Sequence, residues 1–162
     1  MSKFIVGVMG PGDRARTEDV AAAYKLGRLI AKEEWALLSG GRNAGVMDAA
    51  SRGAKEAGGL TIGIMPALDK ESVSPSVEIP IFTGMGSARN SINVLTSDVV
   101  IACGMGIGTA SEVALAFKAG KHVVLLNSTV ESKKFFKSLG YDALYFADTP
   151  KETIRIIKEL KK

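Results

Sequence analysis

The residues best placed to do chemistry form one run, Gly104-Met-Gly-Ile-Gly-Thr109-Ala-Ser-Glu112. It follows an apolar stretch from Val99 to Cys103 and leads into Ala110, Val113, Ala114 and Phe117, which recur at helical spacing. That order predicts a buried strand, a glycine turn and a helix opening at Thr109. A helix start presents unbonded N–H groups and the positive end of the helix dipole, so it attracts phosphate or carboxylate. Glycines let the main chain approach such an anion closely. Gly104, Gly106, Ile107, Gly108 and Thr109 are therefore candidate phosphate-binding positions, with Glu112 a candidate carboxylate one turn inside the helix. A plainer reading uses the same residues. Thr109-Ala-Ser-Glu112 fits S/T-x-x-E, a capping box in which Glu112 serves only the Thr109 amide.

Two other segments carry similar possibilities. Gly40-Gly41-Arg42-Asn43-Ala44-Gly45-Val46-Met47 joins a short strand to a helix start. Gly40, Gly41, Gly45 and Met47 could form a second anion or sugar corner, or simply a tight turn with glycines at positive φ. Gly84-Met-Gly-Ser-Ala-Arg89-Asn90 puts an arginine at a helix start, where the dipole disfavours it. A ligand facing Arg89 and Asn90 would account for that placement; a surface ion pair would do so too.

Other chemistries find little support. Gly10-Pro-Gly12-Asp-Arg-Ala15 matches the dinucleotide fingerprint, but Pro11 removes an amide and the second strand ends in Ser39-Gly40 instead of a ribose-binding acid. No phosphate-binding G-x-x-x-x-G-K-[ST] occurs. With His122 the only histidine and Cys103 the only cysteine, a Cys/His metal cluster and a disulfide framework are excluded, and a Ser-His-Asp triad finds little support. Cys103 at a strand end is expected to be a buried thiol.

The elements that must position these residues are legible from hydrophobic pattern. Strands are expected at Phe4–Met9, Ala36–Leu38, Leu60–Met65, Val99–Cys103, Val123–Leu126 and, at an edge, Leu144–Phe146, with an extended piece at Glu78–Thr83. Helices alternate with them: one capped by Thr17, then Gly45–Ala57, Ala88–Thr96, the Thr109 helix, Phe135–Leu139, and a last one opened by Thr149-Pro150-Lys151-Glu152. Residues 66–80 read as a loop or flap. Nearly continuous apolar strands alternating with helices imply an α/β fold: a doubly wound, Rossmann-like parallel sheet of about six or seven strands, with helices on both faces. Such sheets bind ligands at the carboxyl ends of their strands, where strand order reverses. The glycine corners at 10–12, 40–45 and 104–108 all follow strands and should share that edge.

The 162 residues fit one domain with a proper core. The chain shows no signal peptide and no membrane-length apolar run, so a cytoplasmic protein without membrane partners is expected. The formal net charge is +4, with Lys133, Lys134, Lys137, Lys151, Lys158, Lys161 and Lys162 gathered late. No aromatics interleave with them, so they read as solvated helix faces and no nucleic-acid partner is expected.

Taken in order, Ser39-Gly-Gly…Gly45-Val-Met47-Asp48, Gly58-Gly59…Gly63-Ile-Met-Pro66, Ala88-Arg89-Asn90 and Gly104-x-Gly-x-Gly-Thr109-x-x-Glu112 resemble the Lonely Guy-type superfamily, long labelled "possible lysine decarboxylases". The resemblance runs from Lys3 to Asn127, and the short chain and Arg-Asn pair look more like the compact branch that includes molybdenum cofactor carrier proteins. The superfamily's hydrolases split nucleoside 5′-monophosphates into free base and ribose 5-phosphate. The resemblance implies that Gly106 to Thr109 hold the phosphate, that Glu112 is the catalytic carboxylate and that Arg89 is its partner arginine. Gly104, Met105 and Asn90 depart from the family's proline, glycine and lysine. Two functions follow: a nucleoside 5′-monophosphate N-glycosidase, or a non-catalytic carrier or sensor for molybdenum cofactor or a related phosphorylated pterin or nucleotide. Neither requires a resident cofactor or a metal site; both imply a small phosphorylated ligand and a homodimer or larger assembly. Decarboxylation is not implied.

Overall fold

Five of the chain's strands are almost wholly buried, which is what an apolar run flanked by glycines must become in a sheet covered on both sides. The computed structural model describes residues 2–162. Its elements in order are β1 (Ile5–Met9), α1 (Thr17–Lys32), β2 (Ala36–Ser39), α2 (Gly45–Glu56), β3 (Thr61–Met65), β4 (Ile79–Phe82), a 3₁₀ turn (Gly86–Arg89), α3 (Asn90–Thr96), β5 (Val99–Cys103), α4 (Ile107–Lys118), β6 (His122–Leu126), α5 (Val130–Ser138), β7 (Leu144–Ala147) and α6 (Pro150–Leu160). All seven strands pair in parallel in the order β4-β3-β2-β1-β5-β6-β7. This is the α/β Rossmann-like sheet expected.

Alternation along the strands sorts the core into two layers. Val99, Ile101 and Cys103 of β5 pack with Leu26 of α1, Ala49 of α2 and Ile154 of α6. Val100 and Ala102, pointing the other way, pack with Val94 of α3, Val113 of α4 and Phe136 of α5. The pair α1 and α2 approaches unusually closely because each offers the other a glycine: a Cβ on Gly27 would lie 2.1 Å from the Ala50 carbonyl oxygen, and one on Gly53 only 2.0 Å from that of Tyr24.

The helix ends depart from expectation in informative ways. Thr17 is the first residue of α1 and caps nothing; Arg16 precedes it. α4 begins at Ile107, two residues before Thr109, with Gly106 at its N-cap and no side chain capping it. The Thr109–Glu112 capping box therefore does not form, and Glu112 sits in the second turn. α5 starts earlier than expected because Thr129 caps it, accepting from the Ser132 amide at 3.2 Å. In α6, Thr149 accepts from the Glu152 amide as expected, but Glu152 reaches back to the amide of Asp148 at 2.9 Å.

The segment read as a flap is pinned at several points. Asn43 donates to the Ser72 carbonyl at 2.8 Å and Ser74 to that of Gly41 at 2.9 Å. The Ser74 hydroxyl donates to Asp48 at 2.7 Å. Lys55 donates to the Pro75 carbonyl at 2.7 Å. Among the described residues, no helix is long and apolar enough to cross a membrane.

Candidate functional site

Strand order reverses at β1: its chain neighbour β2 lies on one side and β5 on the other. The loops that leave β1 and β5 diverge there and open a crevice, as in other open parallel sheets. A cleft of about 550 Å³ occupies it, a size typical of small-molecule sites. The loop after β1 contributes Gly10 to Arg14, the loop after β5 and the start of α4 contribute Met105 to Thr109, and Arg42, Met47, Ser87, Arg89 and Asn90 complete the wall. The three glycine corners thus share one edge, and two of them face each other across the cleft.

One wall is the N-terminus of α4. Ala110 already donates to the Gly106 carbonyl at 2.8 Å, whereas the amides of Ile107, Gly108 and Thr109 have no acceptor within the described chain. The buried Thr109 hydroxyl likewise has no partner. A Cβ on Gly108 would meet nothing within 4 Å, so glycine there leaves the space over the helix start open. Three free amides and the helix dipole therefore stand at the edge of space that an anion can fill.

The other walls carry positive charge. Arg14 is exposed and makes no ion pair among the described residues, while Arg42 meets Asp13 at 3.5 Å in a solvated pair. Arg89 is buried, donates from Nε to the Ile64 carbonyl at 2.9 Å and bonds through Nη1 to the Asn90 side-chain oxygen. Burial lowers its affinity for a proton, the charge of Glu112 works the other way, and nearby Arg42 adds to the lowering. Asn90 in turn donates to Ser111 at 2.9 Å, and Ser111 to the Gly108 carbonyl at 2.7 Å. Met105 borders the cleft and packs partly on the second core layer.

Glu112 is placed differently from the expectation. It is 6% exposed and does not line the cleft. Its Oε1 accepts from the Asn93 side-chain amide at 2.8 Å. Burial raises its pKa, outweighing the Asn93 bond and the charge of Arg89, which both lower it. No ion pair within 4.0 Å joins it to Arg89.

Several glycines expected at the ligand serve the chain itself. A Cβ on Gly40 would lie 2.7 Å from the Met47 sulfur and 2.8 Å from an Arg89 guanidinium nitrogen, so its bareness makes room for both. Gly41, at φ +75°, presses on Met65 and Gly63. Gly45, at φ +48°, lies against the Gly12 and Pro11 carbonyls, and Pro11 accepts from the Val46 amide at 3.0 Å. That bond takes up the Val46 amide, one of the donors at the start of α2. Gly104, at φ +72°, donates to Leu126 at 3.1 Å and leaves room for the buried Asp19 carboxylate. Met47, Arg89, Asn90, Gly106, Ile107, Gly108 and Thr109 do converge on the cleft. Gly10 to Gly12, Arg42 and Met105 also line it and belong to the three glycine corners expected on this edge, whereas Asp13, Arg14 and Ser87 carry no such expectation. The signal for Asp13 and Arg14 is the glycine turn after the first strand, which fails as a dinucleotide fingerprint yet occupies the same corner.

Cys103 is buried, and burial pushes its thiol up to about 12, which makes it a core residue and not a nucleophile.

The model of the SLOG cluster4 family matches residues 3–154. An uncharacterised protein of Archaeoglobus fulgidus is 43% identical over 125 residues, covering 77% of this chain and 81% of that one. The molybdenum cofactor binding protein of the phototrophic bacterium Rippkaea orientalis is 54% identical with a TM-score of 0.98, covering 100% of this chain and 99% of that one. The molybdenum cofactor carrier protein of Chlamydomonas reinhardtii is 49% identical with a TM-score of 0.94, covering 99% of this chain and 100% of that one.

Proposed function

The chain belongs to the SLOG cluster4 family, and we propose that it carries a phosphorylated pterin of the molybdenum cofactor type in the cleft at the β1/β5 switch point. The observation on which this rests is the pairing of two features: unbonded amides at the start of α4, and arginines 14, 42 and 89 around the same space with only Asp13 to offset them. The likeness to carrier and binding proteins of that cofactor over essentially the whole chain supports the choice of cargo.

In this reading the phosphate sits on the amides of Ile107, Gly108 and Thr109, with the Thr109 hydroxyl as a further donor. Arg14 and Arg42 face the rest of a multiply charged cargo, where solvated cations speed capture more than they tighten binding. Arg89, held by Ile64 and Asn90, is a fixed cation that keeps the cleft positive. No step of bond cleavage is needed.

The second reading, N-glycosidic hydrolysis of a nucleoside 5′-monophosphate, is favoured by one observation: Glu112 and Arg89 interact electrostatically behind the phosphate corner. It is the weaker of the two because a carboxylate that stabilises an oxocarbenium ion must face the reacting bond.

The test is to produce the chain in a host that makes the cofactor, then quantify molybdenum by mass spectrometry and the oxidised pterin by fluorescence. Near-stoichiometric pterin that falls sharply in Arg14→Glu/Arg42→Glu supports the carrier reading. Absence of pterin, together with release of free base from adenosine monophosphate, overturns it.

A further inference from the structure

Away from this cleft, a groove of about 370 Å³ runs between α1 and the start of α6. Lys25, Arg28 and Lys32 of α1 line it, with Leu29 between them and Pro150 and Lys151 of α6 opposite. Lys25, Lys32 and Lys151 are exposed and form no ion pair within 4.0 Å among the described residues. Arg28 reaches Glu56 only at 4.0 Å. The acids nearest in the chain are engaged elsewhere: Glu33 holds Lys158 at 2.7 Å, and Glu152 holds the Asp148 amide and Arg155. The helix start itself is satisfied by Thr149, so the attraction comes from side chains.

The spacing decides what kind of anion fits. Lys25, Arg28 and Lys32 fall at i, i+3 and i+7, a row about 10 Å long on a helix rising 1.5 Å per residue. The row is longer than a single phosphate, so an extended anion can engage all of it without drawing the side chains together. An extended polypeptide advances about 7 Å per two residues, so acids repeated along it can meet two or three of these cations in succession. The floor supplied by Leu29 and Pro150 is apolar and suits a hydrophobic side chain between the acids. Charge complementarity calls for an anionic partner, and a protein is favoured over a nucleic acid because no aromatic ring lines the groove for a base to stack on.

We infer that this groove docks an acidic segment of a partner protein, in which carboxylates flank an apolar side chain. The inference is independent of what the switch-point cleft holds.

The test uses the full chain and a fluorescein-labelled peptide, EDLEDLEDL, followed by anisotropy. Saturable binding that weakens with added salt is expected. The charge reversal Lys25→Glu/Lys32→Glu should reduce affinity about tenfold or more, whereas Lys134→Glu/Lys137→Glu on α5, the same change in net charge, should stay within about twofold. Replacing the peptide's leucines by serine should also weaken it. Should the α1 variant lose its fold by circular dichroism, Lys151→Glu tests the groove from the α6 side. Equal losses in the α1 and α5 variants would show nonspecific attraction and overturn the proposal. So would a labelled oligothymidylate that binds more tightly than the peptide and is weakened by the same α1 reversal, since the groove would then serve nucleic acid.

Discussion

Replacing Glu112 with glutamine should make the protein more stable at neutral pH and no less able to bind its ligand. The side chain is 6% exposed, accepts one bond from Asn93 Nδ2 at 2.8 Å, and leaves the Asn93 side-chain oxygen Oδ1 buried without a partner. Burial raises the folded-state pKa above the unfolded value of about 4.3. The sign follows: a carboxyl that holds its proton more tightly when folded stabilises the fold fully below the unfolded pKa, and that contribution disappears as pH rises through the folded pKa. At pH 8 the native side chain is at its least favourable. Glutamine keeps the accepted bond and can donate to the orphaned Asn93 oxygen, worth about 1 kcal/mol. It forgoes the attraction to Arg89, but burial is the larger influence on Glu112. One kcal/mol corresponds to about 2–4 °C in a domain of this size. Thermal melts of Glu112→Gln and the parent from pH 4 to pH 8 should diverge by about that amount at the alkaline end and converge at pH 4, where a protonated Glu112 can make the same two bonds. A variant less stable than the parent at every pH, or a gap that ignores pH, would refute the reasoning.

Three other outcomes follow from the geometry. Gly108→Ala should stabilise the fold by about 0.5 kcal/mol, because alanine favours a helix and its methyl meets nothing within 4 Å, while lowering retention of bound pterin by occupying the mouth of the phosphate corner; unchanged retention would remove this corner from the ligand site. Gly53→Ala should cost about 1–3 kcal/mol in urea unfolding, since its Cβ would lie 2.0 Å from the Tyr24 carbonyl oxygen and α1 and α2 would have to part. Cys103 in the folded protein should resist alkylation at pH 8 and react only under denaturing conditions, because its thiol is buried and titrates at about 12.

What the sequence disclosed and withheld has a physical pattern. Strands were legible because a sheet covered on both faces leaves little room for polar residues, and Val99–Cys103 was read to the residue. Helix starts were less so. Ile107 is 94% exposed, an apolar residue at the surface, so the apolar periodicity begins after it and the start of α4 was placed two residues late. Thr129 hid as a cap because Ser132, not an acid, stands three residues on. At the site, the glycine corners and their common edge could be read from pattern, but their facing could not. Gly40 and Gly104 are bare to admit Arg89 with Met47 and to admit Asp19, contacts made by residues far away in sequence. The turn at 10–12 fails as a dinucleotide fingerprint yet its place after a strand puts it on the ligand edge, while the reach of Asp13 and Arg14 into the cleft has no signature in the pattern.

The same distinction bears on Glu112, whose identity and spacing match a hydrolase motif while its surroundings match another task. Asn93 of α3 holds Glu112, and Asn90 at the head of α3 holds Ser111, whose hydroxyl secures the Gly108 carbonyl. Both ties join α3 to the first two turns of α4, the helix whose free amides face the cleft. In the carrier reading these polar side chains are positioning residues: they fix where the amides of 107–109 point without touching the cargo. Asn93→Leu then separates the readings by a route Glu112→Gln does not. It removes the tie and buries Glu112 against a hydrocarbon, so retention of pterin should fall together with thermal stability. Glutamine at 112 in the Asn93→Leu background should recover part of the stability, because it removes a buried charge, but not the retention of pterin, because the tie to α3 stays broken. If pterin is retained in full by a folded Asn93→Leu protein, the placement of α4 owes nothing to this pair, and the positioning role assigned to Glu112 is wrong.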